Sequence, residues 1–100
     1  MQVTFQAVHF TADQKLKDYI SDKLQKLEKF YPKILQATVY LKLENSGQVR
    51  DKVIEVKVNV PGNTLIASNE DKSFEAAFDD SLETLKRQLK KHNEKAQEAR

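Results

Sequence analysis

The chain has 100 residues and a mass of 11.5 kDa, with 39% hydrophobic and 32% charged residues, so we expect residues 1–100 to form a single domain. The chain has no cysteine and two glycines, which excludes disulfide scaffolds, thiolate metal sites and glycine-rich phosphate loops. No apolar run approaches the roughly 18 residues of a membrane-spanning helix. The net charge is only +2. No secretion signal begins the chain, so we expect a cytoplasmic protein without a membrane partner.

The first part of the chain predicts a strand followed by a helix. Residues 2–8 alternate, with Val3, Phe5 and Ala7 on one side, as in a half-buried strand. Thr11 and Gln14 then have the spacing of a capping box, which predicts a helix start at Thr11. Apolar residues follow at intervals of three and four and predict one buried helix face that ends before Pro32. These residues are Leu16, Ile20, Leu24, Leu27 and Tyr31.

The rest of the chain predicts three strands and a second helix. Two alternating segments have the inward residues Ala37, Val39, Leu41 and Leu43, and Ile54, Val56, Val58 and Val60, with a polar loop over residues 44–51 between them. A tight turn at residues 61–63 leads into a short strand over residues 64–68. The last helix would bury Phe74, Ala77, Phe78, Leu82, Leu85 and Leu89. We expect it to project or fray from Asn93 onward, where large apolar residues end.

The predicted order is therefore β-α-β-β-β-α. Short connections make the last three strands antiparallel, whereas the first strand reaches a parallel neighbour through a right-handed helical crossover. Each strand has one polar face, so both helices would cover the other face. The fold class is an α+β two-layer sandwich, with two helices packed on one face of a four-stranded sheet.

The small net charge conceals a strong sorting of charge along the chain. Residues 15–33 sum to +3, residues 68–85 to −5 and residues 86–100 to +4. On helical wheels, Lys86 and Lys90 flank the second apolar stripe, while the first helix places lysines beside Tyr19 and Phe30. The back of the second helix carries a continuous basic strip of Arg87, Lys91 and Lys95, interrupted by Glu94. Basic helix ends are common on solvated surfaces, but such a strip also suits the neutralisation of RNA phosphates.

Side chains that support catalysis or metal binding are sparse. His9 and His92 lie far apart in the sequence, and no catalytic motif occurs. Asp79, Asp80 and Glu83 form the one carboxylate cluster, which would either hold a hard cation or stabilise the helix and pair with the following basic residues, Lys86 and Arg87. We favour the second interpretation and expect no enzyme activity, no metal and no cofactor.

Segments from three parts of the chain form a recognisable combination. They are residues 16–29 (LKDYISDKLQKLEK), residues 61–67 (PGNTLIA), and residues 74–79 (FEAAFD) with 85–92 (LKRQLKKH). In this order, and over nearly the whole chain, they resemble the ribosome hibernation-promoting factors, also called ribosome-associated inhibitors. The chain is most similar to the short form of this family.

The resemblance implies a cytoplasmic translation inhibitor of stressed or stationary-phase cells. Members of the family bind the small ribosomal subunit near the decoding centre and sterically block tRNA and mRNA. Carried over to matching positions, the resemblance implies rRNA contacts by basic residues of both helices. These residues are Lys23, Lys26, Lys29, Lys86, Arg87, Lys90 and Lys91, with Lys95 and a protonated His92 as secondary candidates.

Two features depart from the family pattern. Lys86 stands where a glutamate is common in the family signature, which makes its role less certain. The chain ends at Arg100, so we expect it to lack the C-terminal domain with which long members pair ribosomes. Promotion of ribosome dimers would then require a separate factor, and action on single ribosomes is the other possibility. The acidic start of the last helix would face away from RNA or towards the basic tail of a ribosomal protein.

Two alternative functions remain open at the level of sequence. A two-layer domain with basic helices also has the shape of a general double-stranded-RNA-binding domain. The polar face of the sheet would alternatively make a homodimeric protein-interaction module. Its residues would be Thr38, Tyr40, Lys42, Lys57 and Asn59.

Overall fold

The computed structural model of the protein describes residues 1–44 and 51–98, with side chains in these ranges up to Lys95. Its elements are β1 (Gln2–Val8), α1 (Gln14–Phe30), β2 (Gln36–Leu43), β3 (Lys52–Val60), β4 (Asn63–Asp71) and α2 (Phe74–Glu98). The predicted β-α-β-β-β-α order is therefore confirmed. Residues 45–50, most of the predicted polar loop, lie outside the described residues. The backbone of α2 is helical to Glu98, and the projection or fraying of its end stays a prediction.

The four strands form one mixed sheet in the order β1-β2-β3-β4. β1 pairs in parallel with β2, with Phe5 opposite Val39, and the remaining pairs are antiparallel. The parallel pair follows from the helical crossover between β1 and β2, and the antiparallel pairs follow from short connections. Both features agree with the topology predicted from the sequence.

The two helices α1 and α2 together form what we call the helical layer. One hydrophobic core lies between this layer and the sheet. α1 contributes Leu16, Ile20, Leu24 and Leu27, and α2 contributes Phe74, Ala77, Phe78, Leu82, Leu85 and Leu89, all of them buried. The central strands contribute Ala37, Val39, Leu41, Ile54, Val56, Val58 and Val60. The period-of-two and period-of-3.6 patterns thus identified most of the core. Ala7, predicted to face inward, is exposed. Four other predicted residues, Val3, Phe5, Tyr31 and Leu43, are only partly buried against the core.

The start of α1 differs from the predicted capping box. Asp13, in extended conformation, is the N-cap, and its carboxylate accepts a hydrogen bond from the backbone N–H of Leu16 at 2.8 Å. Thr11 is exposed and precedes the cap. The prediction of Thr11 as the cap was wrong, because a carboxylate at the positive end of the helix dipole is a stronger acceptor than a hydroxyl.

β4 is longer than the strand predicted over residues 64–68. Its pairing with β3 runs from Asn63, opposite Val60, to Asp71, opposite Lys52. Polar residues at its end have weak strand propensity, but the ladder offered by the nine-residue β3 outweighs it. The preceding turn places Gly62 at a φ of 80°, a left-handed conformation that glycine adopts without a steric penalty.

One residue of the polar sheet face is less accessible than the alternation predicts. Thr38 is on the opposite side of β2 from the core residues, but it is only 8% exposed. It pairs with Thr4 on one side and Lys57 on the other, so neighbouring strands cover it. The expectation of an exposed Thr38 was therefore wrong, because a central strand is shielded on both sides.

Candidate nucleic-acid interface

Contacts between the two helices show that α1 and α2 run parallel. The hydroxyl of Tyr19 donates to the carboxylate of Asp79, 2.9 Å from each oxygen. Further along both helices, Phe30 of α1 and Lys86 of α2 line the same groove. The parallel arrangement brings the N-terminal halves of the helices together at one end and their basic C-terminal halves together at the other.

Tyr19, Lys23 and Asp79 form what we call the inter-helix brace. Lys23 Nζ donates to Asp79 Oδ1 at 2.7 Å and lies 4.5 Å from the centroid of the Tyr19 ring. The hydrogen bond to Asp79, followed by that to Tyr19, raises the pKa of Lys23 above its ordinary value of 10.5. The charge of Lys23, one of the predicted RNA contacts, is thus already paired within the fold.

The other predicted contacts lie in the C-terminal halves of the helices, and we call them the basic surface. Its residues are Lys26, Lys29, Lys86, Arg87, Lys90, Lys91 and Lys95, all of them exposed. Among the side chains that the structure describes, Lys26, Lys29, Lys90 and Lys91 make no salt bridge. These four cations are therefore available to an external anion.

Two members of the basic surface have partners on their own helix. Lys86 Nζ lies 3.3 Å from Glu83 Oε1, and Arg87 Nη2 donates to Thr84 Oγ1 at 3.3 Å. Of the carboxylate cluster, Glu83 pairs with Lys86 as we expected, whereas Asp79 pairs with Lys23 of α1. Asp80 makes no salt bridge among the described side chains. Arg87, by contrast, contacts a hydroxyl and no acid. Within residues 1–44 and 51–98, no group of three or more His, Cys, Asp or Glu residues has the geometry of a metal site.

A groove of about 520 Å³ separates the two helices at their basic end. It is lined by Lys23, Lys26, Leu27, Phe30, Asp79, Asp80, Leu82, Glu83 and Lys86. Phe30, the last residue of α1, is 78% exposed there. The sequence placed Phe30 on the lysine flank of α1 but indicated no role, because a helix wheel does not show what lies across the groove.

The residues named for an interaction module on the outer face of the sheet differ in accessibility. Thr38 is buried, and Tyr40 is half-buried with Lys57 Nζ 5.8 Å from its ring centroid.

His92, the secondary candidate on α2, is also half-buried. None of the described helices is long and apolar enough to span a membrane.

Comparison with known proteins places this architecture in a family. Residues 3–97 match the family model described as Sigma 54 modulation protein / S30EA ribosomal protein. The chain belongs to this family. The resemblance seen in the sequence and the predicted fold class are both confirmed.

Relatives and solved structures agree with the family assignment. The ribosome hibernation promoting factor of Pseudomonas putida is 36% identical over 97 residues, covering 97% of this chain and 91% of that protein. That of Klebsiella oxytoca is 32% identical over 95 residues, covering 95% and 96%. A ribosomal subunit interface protein from Coxiella burnetii superposes with a TM-score of 0.83 at 18% identity, covering 93% of this chain and 98% of that one. The N-terminal domain of Thermus thermophilus Protein Y gives 0.78 at 24% identity, covering 92% and 99%. These two structures show the shared fold.

Proposed function

We propose that this protein is a cytoplasmic ribosome hibernation factor that binds the small subunit and blocks the binding of tRNA and mRNA. The observation that carries the proposal is the parallel arrangement of the helices. It gathers Lys26, Lys29, Lys90 and Lys91, which make no salt bridge among the described side chains, at one end. Relatives at 36% and 32% identity that carry the name ribosome hibernation promoting factor support it. In this proposal the basic surface meets rRNA phosphates near the decoding centre.

The residues of the basic surface would contribute unequally. Lys90 and Lys91 lie off the apolar stripe of α2 and are free of salt bridges among the described side chains, so they would make the strongest phosphate contacts. Lys86 would first have to leave Glu83, and Lys23 would have to leave Asp79. The free energy of breaking these pairs would subtract from RNA binding.

Binding would be electrostatic and inhibition would be steric. Roughly five to seven phosphate contacts would make log K fall with log salt at a slope of about −0.9 per contact on duplex regions and about −0.7 on single strands. The rigid two-layer body would then occupy the path of tRNA and mRNA. No chemical step is required, and we propose that the protein is not an enzyme.

Displacement from small subunits tests this proposal directly. Purified small subunits carrying labelled tRNA and a short mRNA are titrated with the protein, and the release of each label is measured together with co-sedimentation of the protein. We expect saturable pelleting that weakens with salt, and loss of both labels. Pelleting without any release would contradict the blocking mechanism, and no pelleting would contradict ribosome binding.

The same preparation distinguishes the two alternative functions. A general double-stranded-RNA-binding domain would bind free RNA duplexes in a gel-shift assay as tightly as it binds small subunits. We expect this protein to bind small subunits more tightly than free duplexes when the two compete. A homodimeric module would scatter light as a dimer and keep its partner at high salt.

A further inference from the structure

Phe30 is the large apolar residue with the highest exposure in the described part of the chain. It is 78% exposed, compared with 60% for Leu35, 47% for Ile66 and 41% for Val8. The side chain terminates α1 and lines the groove between the two helices. A solvated phenyl ring in this position contributes little to the core, so its surface is available to a partner.

The immediate surroundings of Phe30 are cationic. Lys26 lies one turn before it on α1, and Lys86 lines the same groove from α2. Lys29 precedes it and is exposed without a salt bridge among the described side chains. A flat apolar ring between cations is complementary to a nucleotide, whose base has an apolar face and whose phosphate is an anion.

The acidic side chains of the groove do not oppose such a ligand at this end. Asp79 is bound to Lys23 and Tyr19, and this brace is about 10 Å away along α1, because seven residues separate Lys23 from Phe30 at about 1.5 Å each. Glu83 is paired with Lys86. Asp80 also lines the groove and makes no salt bridge among the described side chains, but it follows Asp79 directly and so lies at the brace end. The groove is therefore acidic beside the brace and positive towards Phe30, where Lys26 and Lys29 have no acidic partner among the described side chains.

A hydrophobic protein segment would find little surface in the same place. Leu27 is 3% and Leu82 7% exposed, so the two leucines that line the groove are already covered. A protein anchor is typically surrounded by further apolar contacts that exclude water, whereas most of the other side chains lining this groove are charged. A single stacked base needs only one ring face.

We infer that Phe30 is a stacking platform for one unpaired rRNA base, with Lys26 contacting the adjacent phosphate. This inference rests on the proposed function and adds to it a contact that depends on aromaticity as well as on charge. The basic surface would supply the salt-dependent affinity, and Phe30 would supply a salt-independent increment. Because of Phe30, the protein would also prefer an RNA site with an unstacked base to a site of continuous duplex.

Affinity for purified small subunits, measured at several salt concentrations, tests the stacking contact. Phe30→Ala is expected to weaken binding by about 5- to 100-fold, the range of base–aromatic stacking, without changing the slope of log K against log salt. Phe30→Leu should lose nearly as much, and Phe30→Trp should bind at least as tightly as wild type. Leu35→Ala is the matched control, since it removes another exposed apolar side chain and should leave affinity unchanged. Thermal unfolding of each variant checks that the fold is intact.

The outcomes separate the stacking contact from the proposed function. Wild-type protein that fails to bind subunits overturns both. Wild-type binding with an equally tight Phe30→Ala or Phe30→Leu variant overturns the stacking contact alone. A photoreactive benzophenone amino acid at position 30 identifies the neighbour: a cross-link to an rRNA nucleotide supports the inference, and a cross-link only to a ribosomal protein overturns it.

Discussion

From the start of the helical layer to about the middle of α1, side chains pair with one another: Lys23 lies 2.7 Å from Asp79, and the Phe10 and Phe74 rings stack with centroids 5.1 Å apart. In the C-terminal half, Lys90 and Lys91 are exposed and free of salt bridges among the described side chains. Lysine thus contributes to the internal cohesion of one half, whereas in the other half it is free to bind an external anion. The difference arises because acidic residues occur near the start of α2 and are few near its end.

The position of a lysine in the sequence therefore does not establish its function. Lys23 and Lys26 are one turn apart on α1, but only Lys23 reaches an acidic partner on α2. The parallel alignment of the helices decides which lysine meets an acid.

Charge reversal at the free end should have the largest effect. Lys90→Glu with Lys91→Glu is expected to abolish co-sedimentation with small subunits, because two attractive contacts become repulsive at a cost of several kcal/mol. The unfolding temperature should stay close to that of wild type, since both side chains lie outside the core.

The matched control reverses two lysines at the other end of the layer. Lys15→Glu with Lys17→Glu changes the total charge equally but lies near the start of α1. It should reduce affinity far less. Equal losses in the two double variants would mean that binding follows net charge and that the basic surface has no special role.

Removal of the acid from the brace should weaken the fold and spare binding. Asp79→Ala is expected to lower the free energy of unfolding by about 1 kcal/mol, because it removes hydrogen bonds to Tyr19 and Lys23 that are partly exposed to solvent. This corresponds to about 4–8 °C in the unfolding temperature. Ribosome affinity should not fall, since the change frees a cation.

Glu83→Ala is the matched control for the brace. Its carboxylate is 66% exposed and makes one ion pair within α2, so its loss should change the free energy of unfolding by less than about 0.5 kcal/mol. Chemical denaturation of the two variants beside wild type measures both values. A larger loss in Glu83→Ala would show that cohesion of the layer does not depend on the brace.

The sequence was sufficient for the elements and the core but not for their partners. The spacing of Leu16, Ile20 and Leu24 shows which face of α1 is buried whatever packs on it. Asp79 and Tyr19 are 60 residues apart in the sequence. A local sequence pattern therefore does not predict their contact. The same limit applies to Phe30, because its exposure depends on how closely α2 approaches the end of α1.

Local signals also failed where two candidates competed or where tertiary pairing intervened. Thr11 and Asp13 are both good caps, and only the observed backbone decides between them. The polar end of β4 lies beyond the strand predicted over residues 64–68, but pairing with β3 holds it in the sheet.

Salt titration should distinguish paired from free lysines more finely. Lys26→Gln is expected to reduce the slope of log K against log salt by about 0.9, the value for one phosphate contact on a duplex. Lys23→Gln should reduce it by clearly less, because Lys23 is already bound to Asp79. Equal reductions would show that Lys23 leaves Asp79 and joins the RNA contacts on the ribosome.

The smallest effect concerns the pH dependence of the brace. The pKa of Lys23 is raised by its hydrogen bonds, first to Asp79 and then to Tyr19. A lysine whose pKa is higher in the folded than in the unfolded state adds stability that is fully present below the unfolded value of about 10.5 and is lost as pH rises through the folded value. Tyr19→Phe provides a background in which Lys23 is the remaining hydrogen-bond donor to the Asp79 carboxylate among the described side chains.

In that background, Asp79→Asn should destabilise the protein by less than about 1 kcal/mol at neutral pH, given the partial exposure of the pair. The difference between Tyr19→Phe and its Asp79→Asn derivative should then shrink as pH rises above about 10.5. Asp80→Asn is the control, since this neighbouring acid is exposed and makes no salt bridge among the described side chains, and its effect should be independent of pH in this range. Denaturation midpoints measured between neutral pH and pH values above about 10.5 decide the matter. A constant difference for Asp79→Asn would mean that Asp79 stabilises the layer through its shape and not through the charge of Lys23.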